Sequence, residues 1–209
     1  KPMPDNPDVA LISMGIYIFN TEVMIRKLVE DAKTDSAHDF GHNIIPNMIN
    51  NGNKVKAYMF KDRNTHWAPY WRDIGTLDAY YESSMDLVSV NPKFNLYDKD
   101  WQIHTYREEY PPCKTVFSQQ YEGGRMGATL DSLASDGCII SGGRAIRSIL
   151  SYNVRINSYA EVRDSVIMED VIIGRHAKIK NAIIDKGVVV PPGMRIGYDR
   201  KEDASNFTV

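Results

Sequence analysis

The chain has 209 residues, 43% apolar and 25% charged, an ordinary globular composition that speaks against wholesale disorder. With 25 basic and 27 acidic side chains the net charge is −2, so composition advertises neither a nucleic-acid nor an anionic-membrane surface. No uncharged apolar run approaches the ~20 residues of a membrane span. The two cysteines, Cys113 and Cys138, make neither a disulfide framework nor, alone, a zinc site, so the expected setting is cytoplasmic.

Residues 1–92 read as alternating strand and helix, which points to an α/β layer structure. Val9 to Phe19 is apolar, β-branched and aromatic, and predicts a buried strand. Asn20 or Thr21 then caps a helix whose apolar face is Met24, Ile25, Leu28, Val29 and Ala32. A short helix is expected over Asn43 to Asn50, with Pro46 in its first turn and Asn51-Gly52-Asn53 ending it. Lys54 to Phe60 alternates and predicts a strand. Gly75-Thr76 opens another helix with Leu77, Tyr80, Tyr81 and Val88 on its buried side, stopped by Asn91-Pro92. Residues 93–128 are weak in pattern, punctuated by Pro111-Pro112 and Gly123-Gly124, and read as a linker carrying one or two short strands.

From Ile139 onward the text repeats every 17 residues. One column holds Ile139, Ile156, Ile173 and Val190, and another Ala145, Val162, Ile179 and Ile196. Three more hold Ile149/Val166/Ile183, Leu150/Ile167/Ile184 and Val154/Val171/Val188, while Ser148, Ser165 and Ala182 share a small-residue column. Apolar anchors at steps of six, six and five are hexapeptide-repeat geometry. Three short strands make one triangular coil, and each coil buries its core only by stacking on the next. A β-helix is therefore expected over 129–209. Such solenoids include acyltransferases with a histidine between coils, and His176 is the only histidine in the repeat. A surface role suits a lone histidine as well, so function is sought in residues 1–92.

Three stretches there carry chemistry. In Tyr70-Trp71-Arg72-Asp73-Ile74-Gly75-Thr76, a carboxylate sits beside a helix N-terminus, which suits Mg²⁺ and phosphate oxygens. A capping aspartate in a turn fits the same residues, and both readings stay open. His38-Asp39-Phe40-Gly41-His42 mimics a zinc histidine pair and a kinase metal triplet, but lacks the Glu-x-x centre of one and the companion loops of the other. Its Asp39 caps a helix or binds a ligand hydroxyl. In Ser13-Met14-Gly15-Ile16-Tyr17 a glycine interrupts the expected strand, marking a bulge or close approach of a ligand. Strand alternation would put Ser13, Gly15 and Tyr17 on one face.

Together these segments, with Lys1-Pro2, Ile44-Ile45-Pro46, Leu77-Asp78-Ala79-Tyr80, Gly137-Cys138-Ile139-Ile140-Ser141-Gly142, Val154-Arg155-Ile156-Asn157-Ser158 and Glu202-Asp203-Ala204, resemble bacterial glucose-1-phosphate adenylyltransferases over essentially the whole chain. The resemblance implies a partial, Rossmann-like nucleotidyltransferase α/β domain over 1–92, a linker over 93–128, and a left-handed parallel β-helix over 129–209. The family's Gly-Gly-x-Gly-x-Arg-Leu loop is not in this sequence, and Lys1 resembles the lysine of its Glu-Lys-Pro motif. The expectation is thus a C-terminal portion lacking the ATP-binding half and inactive alone. By the same resemblance, Lys1, Ser13, Tyr17, Asp39, Trp71 and Asp73 would form the glucose 1-phosphate pocket, with Asp73 holding Mg²⁺ for the reaction with ATP. Arg175, His176, Lys178 and Lys180 are a basic cluster that would hold a phosphorylated metabolite effector, or else solvated surface charge. The family implies a homotetramer assembled through the β-helix, with no nucleic-acid or membrane partner. Alternatives are a non-catalytic regulatory subunit, a pyrophosphorylase for another sugar nucleotide, and an acyltransferase using His176.

Overall fold

The structure, a computed structural model, describes residues 2–3, 6–10, 12–61, 70–100, 102–106 and 108–208. The chain divides into two compact units, Lys1–Trp71 and Arg72–Val209.

In the first unit β1 (Pro2–Met3) pairs antiparallel with β2 (Asn6–Ala10). Helix α1 (Thr21–Asp31) starts where expected: the Asn20 side chain accepts the N–H groups of Glu22 and Val23 at 3.1 and 3.3 Å, satisfying two of the orphan donors of a helix start. A wide π-type turn (Phe40–Ile44), in which the Ile44 N–H reaches the Asp39 carbonyl, runs into α2 (Ile45–Asn50). Pro46 lies in the first turn of α2.

The strand expected over 9–19 forms only at its start, Val9 and Ala10. The strand stops at Ala10, residues 12–20 have no regular structure, and Ile16 and Ile18 are 75% and 99% exposed. Lys54 to Phe60 likewise forms no strand. Strand preference is the fit of side chains to neighbouring strands and layers, and among the described residues no strand pairs with residues 12–19 or 54–60. The apolar face of α1 is also open: Ile25, Leu28 and Val29 are exposed. The buried apolar side chains described in this unit are Ile44 and Met48.

The second unit opens with α3 (Leu77–Asp86), capped by Thr76, whose hydroxyl accepts the Ala79 N–H at 3.2 Å. The helix ends before Asn91-Pro92 because Leu87, Val88 and Ser89 turn their N–H groups to carbonyls three residues back, tightening the last turn.

The rest is a parallel β-helix of three ladders. One contains β3 (Lys114–Val116), β6 (Ile139–Ser141), β9 (Arg155–Ile156), β12 (Ile172–Ile173) and β15 (Val189–Val190). The second contains β4 (Ala128–Leu130), β7 (Arg144–Ile146), β10 (Glu161–Arg163), β13 (Lys178–Lys180) and β16 (Arg195–Ile196). The third contains β5 (Leu133–Ala134), β8 (Ile149–Leu150), β11 (Val166–Ile167) and β14 (Ile183–Ile184). Helix α4 (Arg200–Asn206) follows. Strand β3 falls in the stretch expected as linker and is a ladder member, and β4 begins at the last residue of that stretch.

Most columns read from the 17-residue period supply the core, although Val188 is exposed and Ile149 and Ile183 are only half-buried. Val162 stacks between Ala145 and Ile179, and Ile167 between Leu150 and Ile184, and Ala145, Leu150, Val162, Ile167 and Ile179 are fully buried. One column is off by a residue: Ile140, not Ile139, lies over Ile156, and Ile140 is the buried one. The cause is a shorter corner. Between Ile140 and Ala145 the chain turns through Gly142-Gly143 with one residue fewer than between Ile156 and Val162. Gly142 has φ +71°, and a Cβ on Gly143 would lie 2.6 Å from the Asn157 carbonyl oxygen.

The small-residue column is a hydrogen-bonded spine. The Ser148 hydroxyl donates to the Ile146 carbonyl (2.9 Å) and accepts the Ser165 N–H (3.2 Å). The Ser165 hydroxyl donates to Arg163 O (2.5 Å) and accepts the Ala182 N–H (3.2 Å). Both serines are fully buried. Helix α3 packs on β11, with the Tyr81 hydroxyl donating to the Asp164 carbonyl at 2.6 Å. Residues 77–86, expected with the α/β domain, therefore dock on the solenoid.

Candidate functional site

A depression of about 440 Å³ in the first unit is lined by Ser13, Gly15, Tyr17, His38, Asp39, Phe40, Gly41 and His42. Its geometry comes from a turn rather than a strand. In an extended chain residues four apart are ~13 Å from one another, yet Ser13 Oγ and the Tyr17 hydroxyl are 3.0 Å apart. Gly15, at φ +70°, folds the segment back, and its N–H donates to Ser13 Oγ at 3.3 Å. The three residues expected on one face of a strand line one depression through this turn instead. The Tyr17 ring stacks on Phe40 at 5.7 Å, and Phe19 packs against both.

Asp39 caps the π-type turn. Its Oδ1 accepts the His42 N–H at 2.6 Å and lies 3.0 Å from His42 Nδ1. These bonds, the backbone one foremost, hold its carboxyl below the ordinary value of 3.8, so it is a carboxylate at neutral pH. His38 takes a different partner: its Nδ1 lies 2.7 Å from Asp31 Oδ2, and Ser36 donates to Asp31 Oδ1 at 2.9 Å. The two histidines of the His-Asp-Phe-Gly-His stretch thus bind different carboxylates. Among the described residues no group of three or more His, Cys, Asp or Glu gathers to hold a metal ion.

Of the other expected pocket residues, Lys1 lies outside the described residues. Trp71 ends the first unit and is partly exposed. Asp73 is the second residue of the second unit, where its Oδ1 accepts the Gly75 N–H at 3.0 Å while Thr76 caps α3. Asp73 is exposed, and one carboxylate of this kind fits part of a Mg²⁺ shell, which is otherwise completed by phosphate oxygens and water.

The basic cluster divides in two. Lys178 and Lys180 lie on β13, in register with Glu161 and Arg163 of β10. Arg175 and His176 sit at the preceding corner, where His176 stacks on Tyr159 at 4.8 Å and the Arg175 guanidinium stands 6.0 Å over the same ring. Sequence reasoning missed the cations that complete the β13 face. Arg144, Glu161, Lys178 and Arg195 form one outward column, and Ile146, Arg163 and Lys180 the other. Arg195 and Lys180 both approach the Tyr198 ring, at 4.9 and 5.4 Å. The 17-residue spacing of Arg144, Lys178 and Arg195 was the available signal. Glu161 is the acid on this face; its Arg163 partner at 2.7 Å, then Lys178 and Arg144, hold its carboxyl low.

Two family models match the chain in successive stretches. Residues 2–90 match the family described as nucleotidyl transferase, and residues 111–209 the family described as GlmU-like, C-terminal hexapeptide. Over 100% of the chain it is 51% identical to a protein of Rhodopirellula baltica named glucose-1-phosphate adenylyltransferase. Proteins of the same name from Koribacter versatilis and Methylococcus capsulatus are 50% and 47% identical over 99% and 100% of the chain. The chain is a relative of the glucose-1-phosphate adenylyltransferases. It spans about half the length of these relatives, 47%, 49% and 48%. Helix α3 falls within the nucleotidyl transferase match yet packs on the β-helix, most of which falls in the hexapeptide match. No described helix is long and apolar enough to cross a membrane.

Proposed function

We propose that this chain supplies the sugar-phosphate side of an adenylyltransferase that makes ADP-glucose from ATP and glucose 1-phosphate, releasing pyrophosphate, as a step of glycogen or starch synthesis. The observation supporting this most is the depression in which Ser13, Tyr17 and Asp39 meet beside the Phe40 ring. Hydroxyls and a carboxylate beside aromatic rings are the chemistry that holds a pyranose. Ser13 and Asp39 hydrogen-bond sugar hydroxyls, Tyr17 and Trp71 wall the ring, and Lys1 places a point charge on the phosphate. Mg²⁺, held in part by Asp73, would neutralise charge on the reacting phosphates. The attacking oxygen of glucose 1-phosphate is already anionic near neutral pH, so positioning and charge neutralisation suffice and no general base is required.

The basic face of β7, β10, β13 and β16 suits a phosphorylated effector, with Arg175 and His176 at its corner. Exposed Ile172 and Val189 on the neighbouring ladder suit assembly of a tetramer through the solenoid. The test is pyrophosphate release by the intact protein with ATP, glucose 1-phosphate and Mg²⁺. Asp73→Asn should lower kcat at least 10²-fold, as expected for lost stabilisation of transferring charge, and Ser13→Ala should mainly raise KM. Glucose 1-phosphate binding without pyrophosphate release would favour a regulatory subunit, and failure to bind it would overturn the reading.

A further inference from the structure

His38 is held more firmly than a surface histidine needs to be. Its backbone is left-handed, φ +57°, a conformation that non-glycine residues adopt only where the surroundings impose it. Nδ1 lies 2.7 Å from Oδ2 of Asp31, the one buried acid of α1. Ser36 ties the arrangement together: its hydroxyl donates to Asp31 Oδ1 at 2.9 Å and accepts the His38 N–H at 3.1 Å. These bonds fix both the tautomer and the ring plane, as a carboxylate does for an imidazole with work to do at its other nitrogen. The ring is about half exposed, and the residue lines the same depression as Ser13, Tyr17 and Asp39.

We infer that His38 is a sugar-binding residue, its Nε2 hydrogen-bonding one hydroxyl of the sugar phosphate beside the hydroxyl that Asp39 accepts. With Nδ1–H committed to Asp31, Nε2 is the ring nitrogen left for a ligand. A hydroxyl satisfies it in either protonation state, donating to the neutral ring or accepting from the charged one, whereas a phosphate oxygen satisfies only the charged ring. The neighbouring residue adds the complementary acceptor: both His42 contacts of Asp39 fall on Oδ1, and a carboxylate has about four lone-pair sites. Consecutive residues 38 and 39 so offer an imidazole and a carboxylate to a polyol edge. The backbone turn at His38 and the cap at Asp39 set their directions. Asp31 and Ser36 act through His38 and are positioning residues.

This rests on the sugar-phosphate reading above, and the test separates the two. The intact polypeptide is titrated with glucose 1-phosphate and with its monodeoxy analogues at C2, C3, C4 and C6, before and after His38→Asn. Asparagine tolerates the left-handed backbone and keeps a donor near Asp31, but removes Nε2. The expected result is a Kd for glucose 1-phosphate raised about 10-fold, the loss of one hydrogen bond, with no further loss for the one analogue lacking the partner hydroxyl. Asp31→Asn should raise the same Kd by a smaller factor and spare the same analogue. Equal weakening across all analogues would make His38 merely structural and overturn the inference, as would an unchanged Kd. No binding of glucose 1-phosphate by the unsubstituted protein would remove the sugar-phosphate reading and this inference with it. The thermal midpoint of each variant guards against loss of fold.

Discussion

The two units solve the same problem, hiding apolar side chains, in different ways. Each solenoid coil is covered by the coil 16 or 17 residues away, so Ile140, Ile156 and Ile173 lose all contact with water. In the first unit Ile16, Ile18, Ile25 and Val29 stay exposed, and the described apolar core is Ile44 and Met48. Burial by stacking needs only the next repeat. Burial in an α/β layer needs strands and helices brought together from afar. The lesson is that a repeat buries its core within itself, while the order described in the first unit comes from local caps, turns and short polar bonds.

Substitutions can break or sharpen this contrast. The largest effect is expected for Ile173→Ala, which empties a fully buried position between two neighbouring coils. It should cost about 2–5 kcal/mol by denaturant unfolding of the solenoid, with the first unit's transition unmoved. Next is Ser165→Ala, which leaves the Ala182 N–H without its hydroxyl acceptor in the spine and should cost ~1–3 kcal/mol. Tyr81→Phe removes the bond to the Asp164 carbonyl and should cost about 1 kcal/mol. Faster amide exchange in α3 should accompany it, since that bond ties the helix to the solenoid.

Gly15→Ala should barely move the solenoid but, through ~1 kcal/mol of backbone strain at φ +70°, open the Ser13–Tyr17 pair and weaken sugar-phosphate binding. The smallest effect is on pH dependence. Asp31 is held below its ordinary 3.8 by the bonds from His38 and then Ser36. A depressed carboxyl contributes stability that is fully present above the unfolded value and is lost as pH falls through the folded one. The first unit's midpoint should therefore drop as pH is lowered below about 4. Asp31→Asn should flatten that slope while the solenoid's transition keeps its own profile.

The helix starts were legible because capping is local: Asn20 and Thr76 bond to N–H groups two or three residues ahead. The solenoid was legible because a repeat announces its own contacts, and the column of Val162 could be written down before any fold was known. What the repeat did not show was Gly142-Gly143 removing one residue from a corner and shifting Ile139 outward in favour of Ile140. The strand expected over 9–19 formed only as far as Ala10, and that over 54–60 not at all, for the opposite reason: their propensity is conditional on distant partners that sequence does not name. The same holds for the site. Ser13, Tyr17 and Asp39 were visible as residues, but the turn at Gly15 and the Asp31–Ser36–His38 arrangement depend on backbone conformations no periodicity reveals.

The central claim is that the sugar phosphate lies in the depression of the first unit and not on the basic face of the solenoid. Amide hydrogen exchange of the intact protein, with and without glucose 1-phosphate, tests it most directly. The account predicts new protection at residues 13–17 and 38–43, with the solenoid strands unchanged. Protection confined to 144–146, 161–163 and 178–180, or at none of these segments, would contradict it.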